Sequence, residues 1–111
     1  MSTTTELTRH GITLPMDRIA DFCRRWKVRE LAVFGSFLRD DFRDDSDIDL
    51  LIDPLYGVKW SFDDVFAMQD EMTALLGREA QIVERSSVEA SPNYIRRKRI
   101  LSTAVPIHVE R

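Results

Sequence analysis

The segment Leu31–Ile52 constrains this chain more than any other. Leu31-Ala32-Val33-Phe34 is a continuous apolar run, too short for a helix and ended by Gly35, so it reads as a central buried strand. Ser36 then opens a short helix, Asp40, Asp41, Asp44 and Asp45 populate an acidic turn, and Asp47–Ile52 forms a second strand that stops before Pro54. Side chains alternate along a strand, so Asp47 and Asp49 share one face while Ile48 and Leu50 share the other.

Two carboxylates about 7 Å apart along one strand face repel each other. A hard divalent cation such as Mg²⁺ relieves that repulsion. A metal bound there would in turn hold the phosphates of a nucleotide, whose remaining charge suits the positive end of a helix starting at Ser36. Taken alone, Gly35-Ser36 is an ordinary strand-to-helix turn with a serine cap; the downstream Asp47-x-Asp49 shifts the reading toward phosphate and metal. A calcium loop started at Asp45 fails, because Leu50 stands where glycine is needed and Tyr56 where the bidentate glutamate belongs. The glycines Gly11, Gly35, Gly57 and Gly77 form no P-loop.

The remaining pattern is that of one domain. Pro15 suits the first turn of a helix, and Ile19, Ala20, Phe22, Cys23 and Trp26 continue an amphipathic helix over 15–27. After a loop with Tyr56, Gly57 and Trp60, a second helix capped by Ser61 or Asp63 runs to Leu76 and ends at Gly77. A third strand covers 79–83, a helix 92–104, and a last strand 105–109 that Pro106 confines to an edge. Strands alternating with helices imply an α/β (α+β) domain, a two-layer mixed β-sheet with flanking helices over residues 13–111, preceded by a flexible N-terminus at 1–12.

With 111 residues, 43% apolar and 32% charged, the chain is long enough to bury a core without staples. The net charge of -3 argues against nucleic acid as a direct partner. Cys23 is the only cysteine, which rules out an internal disulfide and fits a reducing cytoplasm. Met1–Glu6 carries no signal-peptide pattern, and no apolar stretch reaches the ~20 residues of a membrane span. Arg96-Arg97-Lys98-Arg99 reads as the solvated face of a helix, with a docking surface for an acidic partner or an RNA backbone as the alternative. His10 and His108 are isolated and receive no role.

Gly35-Ser36 followed after ten residues by Asp47-x-Asp49, with Arg39, Asp41 and Ser46 inside, resembles the minimal nucleotidyltransferase (MNT) branch of the DNA polymerase β-like nucleotidyltransferase superfamily. The resemblance implies that fold, with the active site at one end of the sheet. It implies that Gly35 and Ser36 contact the triphosphate, that Asp47 and Asp49 bind the metals, and that Arg39 and Ser46 lie on the nucleotide side. The expected reaction is attack of a hydroxyl on the α-phosphate of ATP, releasing pyrophosphate, with Mg²⁺ in a possible two-ion site stabilising the entering and leaving oxygens.

One position departs from the family pattern. The strand that should supply a third carboxylate has Gln81 there; Glu79 shares its face one pleat back, and Glu84 points to the other face. A glutamine amide offers a neutral oxygen but no negative charge and no base. The chain ends too soon for an acceptor-binding domain, so the acceptor is expected on another molecule. The resemblance implies a nearby-encoded HEPN-domain ribonuclease toxin, neutralised by AMP transfer to one of its tyrosines. The alternative is a catalytically weak or inactive nucleotide-binding antitoxin that acts by complex formation. Homo-oligomerisation is left open.

Overall fold

In the computed structural model, which describes residues 8–110, the run 31–34 lies inside a longer strand, β3 (Val28–Phe34). It is preceded by a two-strand ribbon, β1 (Thr8–Arg9) with β2 (Ile12–Thr13), and by helix α1 (Met16–Trp26). A single 3-10 turn, Gly35–Leu38, and an irregular acidic loop lead to β4 (Ile48–Pro54). Then come α2 (Phe62–Leu76), β5 (Ala80–Glu84), α3 (Arg85–Glu89), α4 (Tyr94–Thr103) and β6 (Val105–Val109).

The sheet runs β5-β4-β3-β6, with β3 antiparallel to both β4 and β6, and β4 parallel to β5 across the α2 crossover. This is the expected mixed sheet, and β6 with its Pro106 lies on an edge as anticipated. Alternation divides the apolar residues between two cores. Leu31, Val33, Ile48, Leu50, Ile52, Ala80 and Ile82 face α1 and α2, meeting Ile19, Phe22, Met68 and Met72. Ala32, Phe34 and Leu51 face the other way, onto Val88 of α3 and Ile100 of α4. Helices therefore flank both faces, the second less completely than the first.

Local signals set the helix ends. Ser61 closes a reciprocal capping box with Asp64, and Gly77 ends α2 in the left-handed conformation at φ 70°. Pro15 precedes α1 as expected, while Asn93 caps α4 by accepting from the Arg96 amide.

Three expectations change. The helix opening at Ser36 is only one 3-10 turn without a side-chain cap, too short to present a summed helix dipole to a phosphate. Asp47 stands immediately before β4 rather than in it. Residues 8–12, assigned to a flexible terminus, contribute to the β1–β2 ribbon, where Thr8 pairs with Thr13 and Arg9 with Ile12; residues 1–7 of that segment lie outside the described residues. The ribbon and α3 carry no strong periodic signal because each is held by contacts to distant parts of the chain. No helix among the described residues is long and apolar enough to cross a membrane.

Candidate nucleotide and metal site

The site is built where β3 ends. Phe34 pairs across to Asp49, and Gly35 turns the chain at φ 75°, a region that favours glycine. Gly35 is required twice over: a Cβ there would overlap Oδ2 of Asp49 and lie 3.2 Å from its Cγ. The turn that follows is tied down from the N-terminal ribbon. Arg9 donates from Nε to the Phe37 carbonyl at 3.2 Å and from a terminal guanidinium nitrogen to that of Leu38 at 2.9 Å. His10 places Nε2 3.0 Å from the Phe37 carbonyl and stacks on Phe42 at 4.7 Å between centroids. Neither residue was assigned a role from sequence, since only the folded ribbon brings them to the turn.

The parallel ladder between β4 and β5 brings Gln81 to the site. Asp49 is paired in the parallel ladder with Gln81, so both occupy the same sheet face. Gln81 Nε2 donates to Oδ2 of Asp47 at 3.3 Å, which bridges the two strand ends. Burial raises the Asp49 carboxyl above its ordinary pKa; the charge of Asp47 adds to this, and Arg39 and Arg96 offset part of it. A half-buried carboxylate repelled by a second one is the environment that a divalent cation relieves.

The donor set fits a magnesium-type ion. Among the described residues no group of three or more His, Cys, Asp or Glu side chains forms a metal cage. Mg²⁺ is commonly bound through only one or two carboxylates, with water and substrate phosphates completing the octahedron. Asp47 and Asp49 would supply those two, and the Gln81 amide, within hydrogen-bond distance of Asp47 and beside Asp49 in the ladder, would add a neutral oxygen.

A cavity of about 540 Å³ opens over this face. Gly35, Arg39 and Asp49 line it from the strand ends, and Arg96, Arg99 and Ile100 from α4. The structure thus brings together Gly35, Arg39 and Asp49 of the sequence-derived set. Arg39 also pairs with Asp41 at 3.2 Å, so it reaches both the acidic loop and the cavity. Ser36 sits on the turn, its carbonyl accepting from the Arg39 amide.

Asp47, Ser46 and Glu79 line a second, shallower depression of about 250 Å³ beside Arg78. There the Ser46 hydroxyl accepts from the Arg43 amide and braces the loop. Arg78 donates to the carbonyls of Arg43, Asp44 and Ser46 at 2.9–3.0 Å and lies 4.8 Å over the Phe42 ring. Sequence reasoning missed Arg78, whose partners lie more than thirty residues away. It also treated the basic cluster of α4 as one unit. The helix divides it: Arg96 and Arg99 enter the cavity lining, whereas Arg97 and Lys98 pack over Tyr94 at 5.4 and 6.0 Å.

The family model for the nucleotidyltransferase domain matches residues 16–104, a span that holds Gly35, Arg39, Asp47, Asp49, Gln81, Arg96 and Arg99 but not Arg9 and His10. The chain belongs to the nucleotidyltransferase-domain family. The resemblance to its MNT branch is borne out by relatives. The protein adenylyltransferase MntA of Thermococcus cleftensis is 32% identical over 72 residues, 60% of this chain and 65% of that protein, short of two thirds of its length. A solved structure assigned to the minimal nucleotidyltransferases is 28% identical, with a TM-score of 0.63 over 82% of this chain and 87% of its own. The MNT antitoxin in complex with a tri-AMPylated HEPN toxin of Shewanella oneidensis shares the fold, with a TM-score of 0.60, 12% identity, and coverage of 86% and 70%.

Proposed function

We propose that this nucleotidyltransferase-family chain transfers AMP from ATP to a hydroxyl of a partner protein and serves as the antitoxin of a HEPN-type ribonuclease toxin in the cytoplasm. The observation that carries the reading is the close approach of Asp49 to Gly35, with Asp47 repelling it, in the lining of a cavity that also holds Arg39, Arg96 and Arg99. The adenylyltransferase activity named for the Thermococcus relative and the AMPylated toxin bound to the Shewanella protein support the choice of nucleotide and partner.

In this reading Asp47 and Asp49 hold Mg²⁺, Gly35 lets the backbone approach the phosphates, and Arg39 faces them from the rim. Ser36 on the turn and Ser46 in the loop belong to the nucleotide side. A divalent cation held by Asp47 and Asp49 would supply neutralisation of the charge that develops on the phosphates. The acceptor hydroxyl oxygen forms a bond to the α-phosphorus as the bond from that phosphorus to its bridging oxygen breaks. Pyrophosphate leaves, and the hydroxyl proton passes to solvent or to a carboxylate. Holding the triphosphate in line for attack supplies most of the acceleration.

A second reading is favoured by one observation. Gln81 occupies the position beside Asp49 where a third carboxylate would lie, and its amide is turned onto Asp47. Glu79, the neighbouring acid, lines the depression that also holds Asp47 rather than the cavity that holds Asp49. On this reading the chain binds nucleotide and neutralises its partner by covering it, without transfer.

Co-expression with the neighbouring HEPN-type gene product, followed by intact-mass measurement after incubation with ATP and Mg²⁺, separates the two. AMP adducts on the partner, absent with the double variant Asp47→Asn, Asp49→Asn, support transfer. Tight complex formation without adducts, retained in the double variant, overturns it in favour of binding alone.

A further inference from the structure

Arg96 and Arg99 stand one helical turn apart on α4, on the stripe that continues to the buried Ile100, and both line the cavity whose other wall holds Gly35 and Asp49. They are the arginines that α4 contributes to the lining that also holds Asp49. Both are exposed, and neither takes part in any of the chain's ion pairs among the described residues, which involve Arg25, Arg29, Arg39, Arg85 and His108. Their neighbours on the helix behave differently: Arg97 is spent on the Ser91 carbonyl at 2.7 Å and on the Tyr94 ring, and Lys98 on that same ring.

We propose that Arg96 and Arg99 form the polyphosphate clamp of the nucleotide site, binding the phosphates beyond the α-position of a nucleoside triphosphate. The proposal rests on the nucleotide-binding reading given above and adds to it the side from which the outer phosphates are held. A triphosphate carries more negative charge than one divalent cation neutralises, and Asp47 and Asp49 add two more carboxylates on the metal side. The 3-10 turn at Gly35 is too short to stabilise that charge through a helix dipole. Guanidinium groups suit the task because their planar donors match two phosphate oxygens at once. The same cavity is lined by Asp49 from the strand ends and by Arg96 and Arg99 from α4, so phosphates entering it would meet the metal side and the arginines together.

The test is a binding measurement on the full chain without its partner, titrating ATP, ADP and AMP in the presence of Mg²⁺ by calorimetry. Wild-type protein is expected to prefer ATP over AMP. Arg96→Ala and Arg99→Ala should each weaken ATP by about tenfold or more, the scale of a hydrogen bond to a charged group, with much smaller losses for AMP. Arg96→Lys should recover part of the loss, and Lys98→Ala should leave ATP binding at the wild-type value. Thermal melts of each variant verify folding, which exposed positions should not disturb. Equal losses for ATP and AMP, or unchanged ATP affinity in both alanine variants, would overturn the clamp while leaving the nucleotide site intact. If wild-type protein takes up no Mg²⁺-nucleotide at all, the underlying reading falls together with the clamp.

Discussion

Gly35 and Asp49 approach so closely that a single methyl group on the glycine would overlap a carboxylate oxygen. This pair joins the end of β3 to the middle of the site, since Phe34, the residue before Gly35, is the ladder partner of Asp49. The positive φ of Gly35 adds a conformational reason to the steric one.

Gly35→Ala is therefore expected to destabilise the fold by about 1–3 kcal/mol through backbone strain and overlap, and to abolish Mg²⁺-nucleotide binding. Urea denaturation and calorimetry measure the two effects. Combining it with Asp49→Gly should recover part of the stability, because the overlapping carboxylate is gone, but none of the binding. A fully stable, nucleotide-binding Gly35→Ala protein would contradict the close approach.

Asp49→Asn should act in opposite directions on stability and function. The wild-type carboxylate is half buried and faces Asp47, so neutralising it relieves both desolvation and repulsion. The nucleotide-free variant should melt higher than wild type at neutral pH, while its affinity for Mg²⁺-ATP drops. A lower melting temperature would mean that the carboxylate is satisfied within the fold and is not waiting for a cation.

Gln81→Asp restores a carboxylate next to Asp49 in the ladder. If that group acts as a base, transfer of AMP to the partner should rise by about tenfold or more, the lower part of the range for general-base catalysis. The same change adds a third negative charge to the strand ends, so the metal-free variant should be less stable than wild type and should regain stability with Mg²⁺. An unchanged transfer rate would show that the missing carboxylate is not what limits the reaction.

Acid should weaken the contact between α1 and α2. Arg25 donates to both carboxylate oxygens of Glu71, at 3.2 and 2.5 Å, and the Trp26 indole donates to one of them at 3.3 Å. The hydrogen bonds from Arg25, helped by Trp26 and opposed by partial burial, hold the Glu71 pKa below its ordinary value. A depressed carboxylate contributes stability that is complete above its unfolded pKa and disappears as pH falls through the folded one. Glu71→Gln should therefore cost stability at neutral pH and little in acid, as read from urea midpoints at both. The cost should be modest because Arg25 is half exposed and Glu71 about a third, so solvent screens the pair.

Arg78→Met should loosen the acidic loop. Three backbone carbonyls lose their donor and Phe42 loses its cation, at a cost of about 1–3 kcal/mol. Amide hydrogen exchange should speed up through residues 43–46 while α1 and α2 stay protected. Uniform loss of protection would assign Arg78 a global role instead.

Much of this protein was decided locally. The apolar runs at 31–34 and 48–52, the glycine between them and the alternation that puts Asp49 opposite Ile48 and Leu50 depend only on strand geometry and on which side chains avoid water, so the chain states them outright. The same holds for α2 between its serine cap and Gly77. Other features arise from which segments meet across the sheet. Parallel register aligned Gln81 with Asp49, folding of residues 8–13 brought Arg9 and His10 to the 3-10 turn, and the path of α4 over the second face divided a basic run into two cavity-lining arginines and a pair stacked on Tyr94. Those arrangements depend on contacts between residues far apart in the chain, where spacing along the sequence carries no information about distance in space.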